Sequence, residues 1–400
     1  MPIQINKTNS VQHNQFALFN LGFRPFFLGA GVFAVISIGL WILVYFSYMS
    51  IRVEHISLSQ WHAHEMLYGY GMAVVAGFLL TAVKNWTGLP TLFGKPLMAL
   101  FALWCLARLL FLCGTARLPW AAAADLSFGL MLVIALTIPI VKSKQWKQLA
   151  VIGKVTLLWL GNVVFYLASF GVLSSGMQYA INGAILLFIS LILMIGRRVM
   201  PFFIERGIET KVKLKQYKWL DVSILVVFAA LFINAIFVQI AYLTSWLAWT
   251  LFALNGYRLC NWHTAGIWRT SLLWSLYLSA WLLNSGFFFY GLQVKNGIFP
   301  ILTLHVFTIG GIGLMTLAMM ARVALGHTGR DIKKPSPWIS WAFGGLVASV
   351  FFRAVLPMIT TQFYLACVFV AAILWILSFA IFVAIYMPIL LKPRMDGVFG

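Results

Sequence analysis

The sequence predicts an all-α polytopic membrane protein of about twelve transmembrane helices with both termini cytoplasmic, and three observations lead there. Of its 400 residues, 62% are hydrophobic and only 9% charged, with a mean hydropathy of +0.95, too apolar for a soluble domain to cover its surface. Apolar runs of about 20 residues recur from residue 24 to residue 391, each long enough to cross roughly 30 Å of hydrocarbon as a helix that bonds its own backbone. Lys and Arg gather in alternate connections, as topology sorting demands. A formal charge of +20 would point to nucleic acid in a soluble protein. Placed in short loops at helix ends it reads as orientation, so no nucleic-acid partner is expected.

Residues 1–15 are polar and lack the basic, apolar and small-residue pattern of a cleaved secretory signal, so helix 1 (24–48) reads as an uncleaved anchor. Helix 2 (60–83) opens at Trp61. Helix 3 (95–114) follows Pro90, and helix 4 (120–141) follows Pro119, as helix-breaking residues should. Helix 5 (150–173) and helix 6 (179–198) end before Pro201. The longest polar connection, 199–217, then divides a single integral membrane domain, 1–400, into possible halves 1–199 and 218–400, between which no repeat is visible. Helices 7 to 12 follow at 218–240, 242–260, 271–290, 299–323, 338–356 and 362–391, with Pro335 and Pro357 near their ends. Of 28 Lys and Arg, only Arg52, Arg108, Arg117, Lys295 and Arg353 fall opposite the side holding the termini. Cys105, Cys113, Cys260 and Cys367 lie far apart without a Cys-x-x-Cys pair and read as buried packing residues.

This topology assigns depths. Helix 2 enters from the outer face at Trp61-His62-Ala63-His64-Glu65, and helix 10 brings His305 to a similar level. Arg108 on helix 3, Asp125 on helix 4 and Asn182 on helix 6 share that layer. Ionisable groups are costly in hydrocarbon and persist there because they bind, relay or pair, so one shared polar site is expected. In an α-helix, residues two apart point about 200° apart, so His62 and His64 face nearly opposite ways while His62 and Glu65 share a face. The two histidines are therefore not expected to grip one metal together, and each needs partners from other helices. A plainer reading makes either imidazole interfacial, like the belt residue Trp61, and Glu65 a cap.

Helix 10 continues as His305-Val306-Phe307-Thr308-Ile309-Gly310-Gly311-Ile312-Gly313, and helix 2 follows its histidines with Gly69, Gly71 and Gly77. Small residues below a histidine let a flat macrocycle approach with imidazole as axial ligand, or simply let helices pack closely. Met66, Met72 and Met315 are soft enough to bind copper, or to fill the core. Arg108 needs an anion, for which Asp125, Glu65 and a haem propionate are candidates. On the cytoplasmic side Arg24, Arg322, His327 and Arg330 form a second concentration, suited to a quinone head group, a propionate, a second cofactor or free helix C-termini. His13, His55 and His263 lie in loops and receive no role. No Walker, Rossmann, zincin or nucleophile-elbow pattern stands in a fitting context.

The motifs Leu21-Gly22-Phe23-Arg24-Pro25-Phe26-Phe27, Trp61 through Gly71 and on to Gly88, Gly196-Arg197-Arg198-Val199-Met200-Pro201-Phe202-Phe203, and His305 to Thr316 with Gly326-His327-Thr328-Gly329-Arg330 together resemble the NnrS family over nearly the whole chain. The resemblance implies a haem- and copper-containing protein of the bacterial inner membrane, linked to nitric oxide metabolism and nitrosative stress in denitrifiers. Family members often carry a histidine early in helix 9, where this chain has Tyr277. The expectation is a haem b-dependent oxidoreductase that reduces nitric oxide to nitrous oxide, with quinol as electron donor. His62, His64 and His305 are the metal candidates, Glu65 and Asp125 the proton donors, and Arg24, Arg108, Arg322, His327 and Arg330 the cofactor-binding group. The rival is a transporter of a metal or metal-nitrosyl species, or a nitric oxide sensor, since twelve helices in two sixes suit transport equally well.

Overall fold

The computed structural model describes residues 16–49, 56–296 and 300–400, without the side chains of 293–296. Lys7, His13, Arg52, His55 and the side chain of Lys295 lie outside the described residues. Among those described, twelve membrane-length helices follow one another and no β-strand forms. They are α1 (Phe23–Tyr45), α2 (Leu58–Thr87), α3 (Gly94–Leu112), α4 (Leu118–Lys142), α5 (Leu149–Ser169), α6 (Gly176–Gly207), α7 (Lys218–Val238), α8 (Ala241–Trp262), α9 (Ser271–Asn296), α10 (Pro300–His327), α11 (Trp338–Ile359) and α12 (Tyr364–Leu391). Eleven are long and apolar enough to cross a membrane, and the exception is α8. That helix has 22 residues, enough for the crossing, but it carries Asn255 and Arg258. Both are internally satisfied: Asn255 Nδ2 donates to Leu251 O at 3.0 Å, and Arg258 Nη2 reaches Asp221 Oδ1 on α7 at 2.7 Å. This is a multi-pass membrane protein.

The helix ends follow local chemistry. At the start of α2, Ser57 Oγ accepts from Gln60 N while Gln60 Oε1 accepts from Ser57 N, a reciprocal cap that satisfies two otherwise free donors. Gly88 closes α2 at φ +69°, with its N–H on Lys84 O. A Cβ there would meet nothing within 4 Å, so only the left-handed backbone resists substitution. Gly88→Ala should lower the unfolding free energy by about 1 kcal/mol, read as a small drop in detergent melting temperature; no drop would mean the turn relaxes freely. The expected end of helix 6 before Pro201 is corrected: α6 runs on to Gly207 through that proline. Burial of Met200, Pro201 and Ile204 holds the extra turns, and the connection shrinks to residues 208–217.

Two spans are the most enclosed, α2 at 78% and α10 at 67% of their apolar windows, which identifies the central pair. They meet where Tyr70 Oη and Thr316 Oγ1 lie 2.6 Å apart. Each is interrupted by a π-helical stretch immediately after a histidine: Glu65–Gly71 follows His64, and Val306–Gly313 follows His305. Such wide turns are rare and concentrate where a helix must re-aim side chains. Shorter ones occur at Asn234–Val238 and Phe351–Val355. Around this centre α1 packs on α2 and α12, α3 on α4, α5 on α6, α8 on α9, and α11 on α12. The two ends of the described chain therefore meet.

The glycines of α2 and α10 are filled by protein. A Cβ on Gly71 would meet Phe188 at 2.6 Å, on Gly77 Phe27 at 2.7 Å, on Gly311 Leu283 at 2.9 Å, and on Gly313 Trp375 at 2.7 Å. These positions serve close helix packing rather than a slot for a flat ligand. Trp61, expected at the interface, is buried. Cys113 and Cys260, expected to be buried, are exposed on the helix surface, while Cys367 is buried. A bilayer accepts an apolar thiol on either face.

Candidate functional site

The first polar centre is built around Arg108 of α3, which is buried. Its Nη1 reaches Glu65 Oε1 at 2.6 Å, and its Nη2 lies 2.5 Å from Asp125 Oδ1 on α4 in an ion pair. Gly69 makes room for it, since a Cβ there would stand 2.9 Å from Arg108 Nη1. His64 joins from α2: Nδ1 lies 2.9 Å from Glu65 Oε1, and Nε2 lies 3.0 Å from Asn162 Oδ1 and 3.4 Å from Asp125 Oδ2. Asn162 Nδ2 donates to Asp125 Oδ2 at 3.0 Å and Tyr166 Oη donates to the same oxygen at 3.1 Å. Phe111 and Phe165 pack against the imidazole and keep water away.

Both ring nitrogens of His64 thus face oxygen acceptors. An imidazole donates on both sides only as the imidazolium, and in that state two carboxylates, one guanidinium and one imidazolium sum to zero. A charge-balanced set is the form in which buried charges are tolerated. In that state neither nitrogen of His64 offers a lone pair. Glu65 turns to Arg108 and His64 rather than to His62, because the guanidinium draws it across; the face shared with His62 in an ideal helix does not form.

His62 occupies the other side of α2. Its ring stacks on Trp41 of α1 at 4.5 Å between centroids, and it makes no hydrogen bond among the described residues. His305 of α10 and Arg353 of α11 lie within electrostatic reach of it, as Pro300–His305 packs against Phe351–Val355. His305 Nδ1 is bound to Ile301 O at 2.6 Å. That bond fixes the tautomer and leaves Nε2 with its lone pair free, the arrangement second-shell carbonyls impose on metal-binding histidines. Arg353 Nη1 is buried with no hydrogen-bond partner, while the guanidinium carbon stands 5.7 Å from the Tyr364 ring centre.

The expected single layer therefore resolves into two centres on opposite faces of α2. The structure joins His64, Glu65, Arg108 and Asp125 in one, and His62 with His305 in the other. Asn182 belongs to neither; it lines a cavity of about 140 Å³ with Tyr290, Pro300, Leu304 and Phe307, next to His305 along α10. At the opposite ends of these helices, Arg24 Nη1 donates to Leu390 O and Lys392 O at 2.7 Å each, and Nη2 to Gly400 O at 2.7 Å, so it satisfies the carbonyls that end α12. His327 ends α10 beside the Phe23 ring, and Arg330 reaches Thr328 O at 3.5 Å. Arg322 stands apart, over the Phe203 ring of α6. Tyr277 Oη donates to Leu259 O at 3.0 Å, a helix-packing contact between α9 and α8. Met66 Sδ and Met315 Sδ accept from Ser37 and Ser279.

Asn162, Tyr166 and Arg353 escaped the sequence reading. The first two sit four residues apart on α5, a polar pair on one face of an apolar helix, and that spacing was the available signal. Arg353 had been assigned to topology alone.

Among the described residues no three His, Cys, Asp or Glu side chains converge as a metal site. A metal held at His62 and His305 would take its remaining ligands from outside the protein, as iron does in a porphyrin, and the partnerless Nη1 of Arg353 beside them would suit a propionate. Two imidazoles and a free guanidinium nitrogen are the donor types such a group takes. Residues 17–394 match the family model described as NnrS protein. No curated protein matches the chain.

Proposed function

This chain belongs to the NnrS family of membrane proteins, and from that premise we propose that it is a haem-dependent membrane oxidoreductase acting on nitric oxide. The observation that carries the reading is the pair His62 and His305, with one free imidazole nitrogen fixed by Ile301 and the orphaned Arg353 Nη1 beside them. Haem b bound there supplies reversible nitric oxide binding and one-electron chemistry. His305 or His62 would hold the iron, leaving a position for nitric oxide, and Arg353 would neutralise a propionate.

The chain's own residues would do the rest. Reduction of two nitric oxide molecules to nitrous oxide and water takes two electrons and two protons. The cavity at Asn182 and Tyr290 offers a small neutral molecule an approach along α10 without a polar channel. Trp41, stacked on His62, holds that imidazole against rotation. The Arg108 cluster stores a proton on His64 between Glu65 and Asp125, and its balanced charge keeps that proton at low cost in hydrocarbon. On the sorting of Lys and Arg, His62 and His305 lie on the outer side of a bacterial inner membrane.

The test is the optical spectrum of protein purified with its cofactor, oxidised and reduced, with metal analysis. The expected result is a haem Soret band near one haem per chain that shifts on adding nitric oxide. A properly assembled preparation without that band sinks the reading, and a band with no nitric oxide consumption from any donor reduces the protein to a sensor. Copper content from the same analysis decides whether a second metal is present.

A further inference from the structure

Arg322 of α10 is 4% exposed and has no hydrogen bond or ion pair among the described residues. What it has is the Phe203 ring, whose centre lies 3.9 Å from the guanidinium carbon. Three other enclosed arginines of this fold are answered by oxygen: Arg24 by backbone carbonyls, Arg108 by two carboxylates, Arg258 by Asp221. A guanidinium in hydrocarbon calls for such an acceptor, and an aromatic face replaces it only in part.

Next to it lies a half-open apolar cavity of about 90 Å³, lined by Phe27 and Phe78 from α1 and α2, Val199 and Met200 from α6, and Met315 and Met319 from α10. Met315, Met319 and Arg322 follow at four and three residues on one face of α10, as Met200 and Phe203 do on α6. The guanidinium therefore lies about one turn beyond the methionine end of the cavity, outside its lining. From Ile312 to Arg322 the slot extends about 15 Å along the helix. The two cavity glycines differ: Gly71 is filled by Phe188 at 2.6 Å, whereas a Cβ on Gly196 would find nothing nearer than Met200 Sδ at 3.9 Å. Space is kept open on the α6 side.

We infer that this cavity and Arg322 form a binding site for a long-chain, lipid-soluble molecule whose head presents an oxygen acceptor to the guanidinium: a prenylquinone carbonyl or a fatty-acyl carboxylate. The walls hold an apolar chain and offer nothing to a polar one, and the single cation at the end sets its direction. The site deepens the electron-supply part of the proposed function if the occupant is a quinone, but it rests on its own geometry.

The experiment is equilibrium binding of decylubiquinone and, separately, of oleate to the purified full-length protein in neutral detergent, compared with Arg322→Leu and Gly196→Leu. The expected result is saturable binding of one probe, weakened about tenfold or more by each variant. Binding of decylubiquinone assigns the site to a quinone, and binding of oleate alone assigns it to an anionic lipid. Gly196→Leu projects into open space and replaces a poor helix former with a good one, so it keeps the test open if Arg322→Leu does not fold. Non-saturable partitioning of both probes, or affinities unchanged in Gly196→Leu and Arg322→Leu, overturns the site. The readout does not involve haem: a failure here leaves the haem reading standing, and a haem-free protein leaves this site testable.

Discussion

Arg108→Met should cost about 3–5 kcal/mol of stability, a large share of the usual margin of about 5–15 kcal/mol. The substitution preserves most of the side-chain volume but strands Glu65 and Asp125, which Arg108 holds at 2.6 and 2.5 Å, in a pocket closed by Phe111 and Phe165. His64 can neutralise one of them, not both. The measurement is the yield of monodisperse protein in mild detergent and its melting temperature. Adding Glu65→Gln and Asp125→Asn to Arg108→Met should recover part of the loss, because a neutral hydrogen-bonded cluster replaces an unbalanced one. Parent-like stability of the single variant would mean that the cluster does not carry the charges its geometry implies.

His305→Ala is expected to lower haem content by more than about tenfold, the upper range for disturbing a metal site's supporting groups being about 100-fold, and to abolish the nitric oxide-induced spectral shift. The melting profile should move little, since His305 contributes one hydrogen bond to its own helix. His64→Ala should do the reverse: it removes both ring contacts from the Arg108 cluster, so stability falls while haem remains. If His64→Ala empties the haem and His305→Ala does not, the assignment of the two centres is inverted and the proposed ligands are wrong.

The sequence made the twelve helices legible because an apolar run of membrane length leaves the backbone one solution. It misjudged the end of α6 because a proline alone says nothing about whether Met200 and Ile204 beyond it are buried. Arg108, Glu65 and Asp125 were legible as a charged group in hydrocarbon that must find its counter-ions. The split of that layer was only half visible: the helical angle between His62 and His64 announced two faces, but which helices stood on each face depends on tertiary packing. Arg353 was hidden because a cation near a helix end looks like topology until its surroundings are known. The glycines were ambiguous for a related reason. A missing side chain marks a close approach without saying whether Phe188 or a ligand approaches.

Arg24 carries a consequence for how the protein is made. Its Nη1 partner Leu390 O lies 366 residues further along the chain. At about 5–20 residues per second of synthesis, that guanidinium waits on the order of 20–70 s before its acceptors exist. During that interval α1 is already threaded while the seam it closes with α12 is open, so the last helix to emerge acts as the latch for the first.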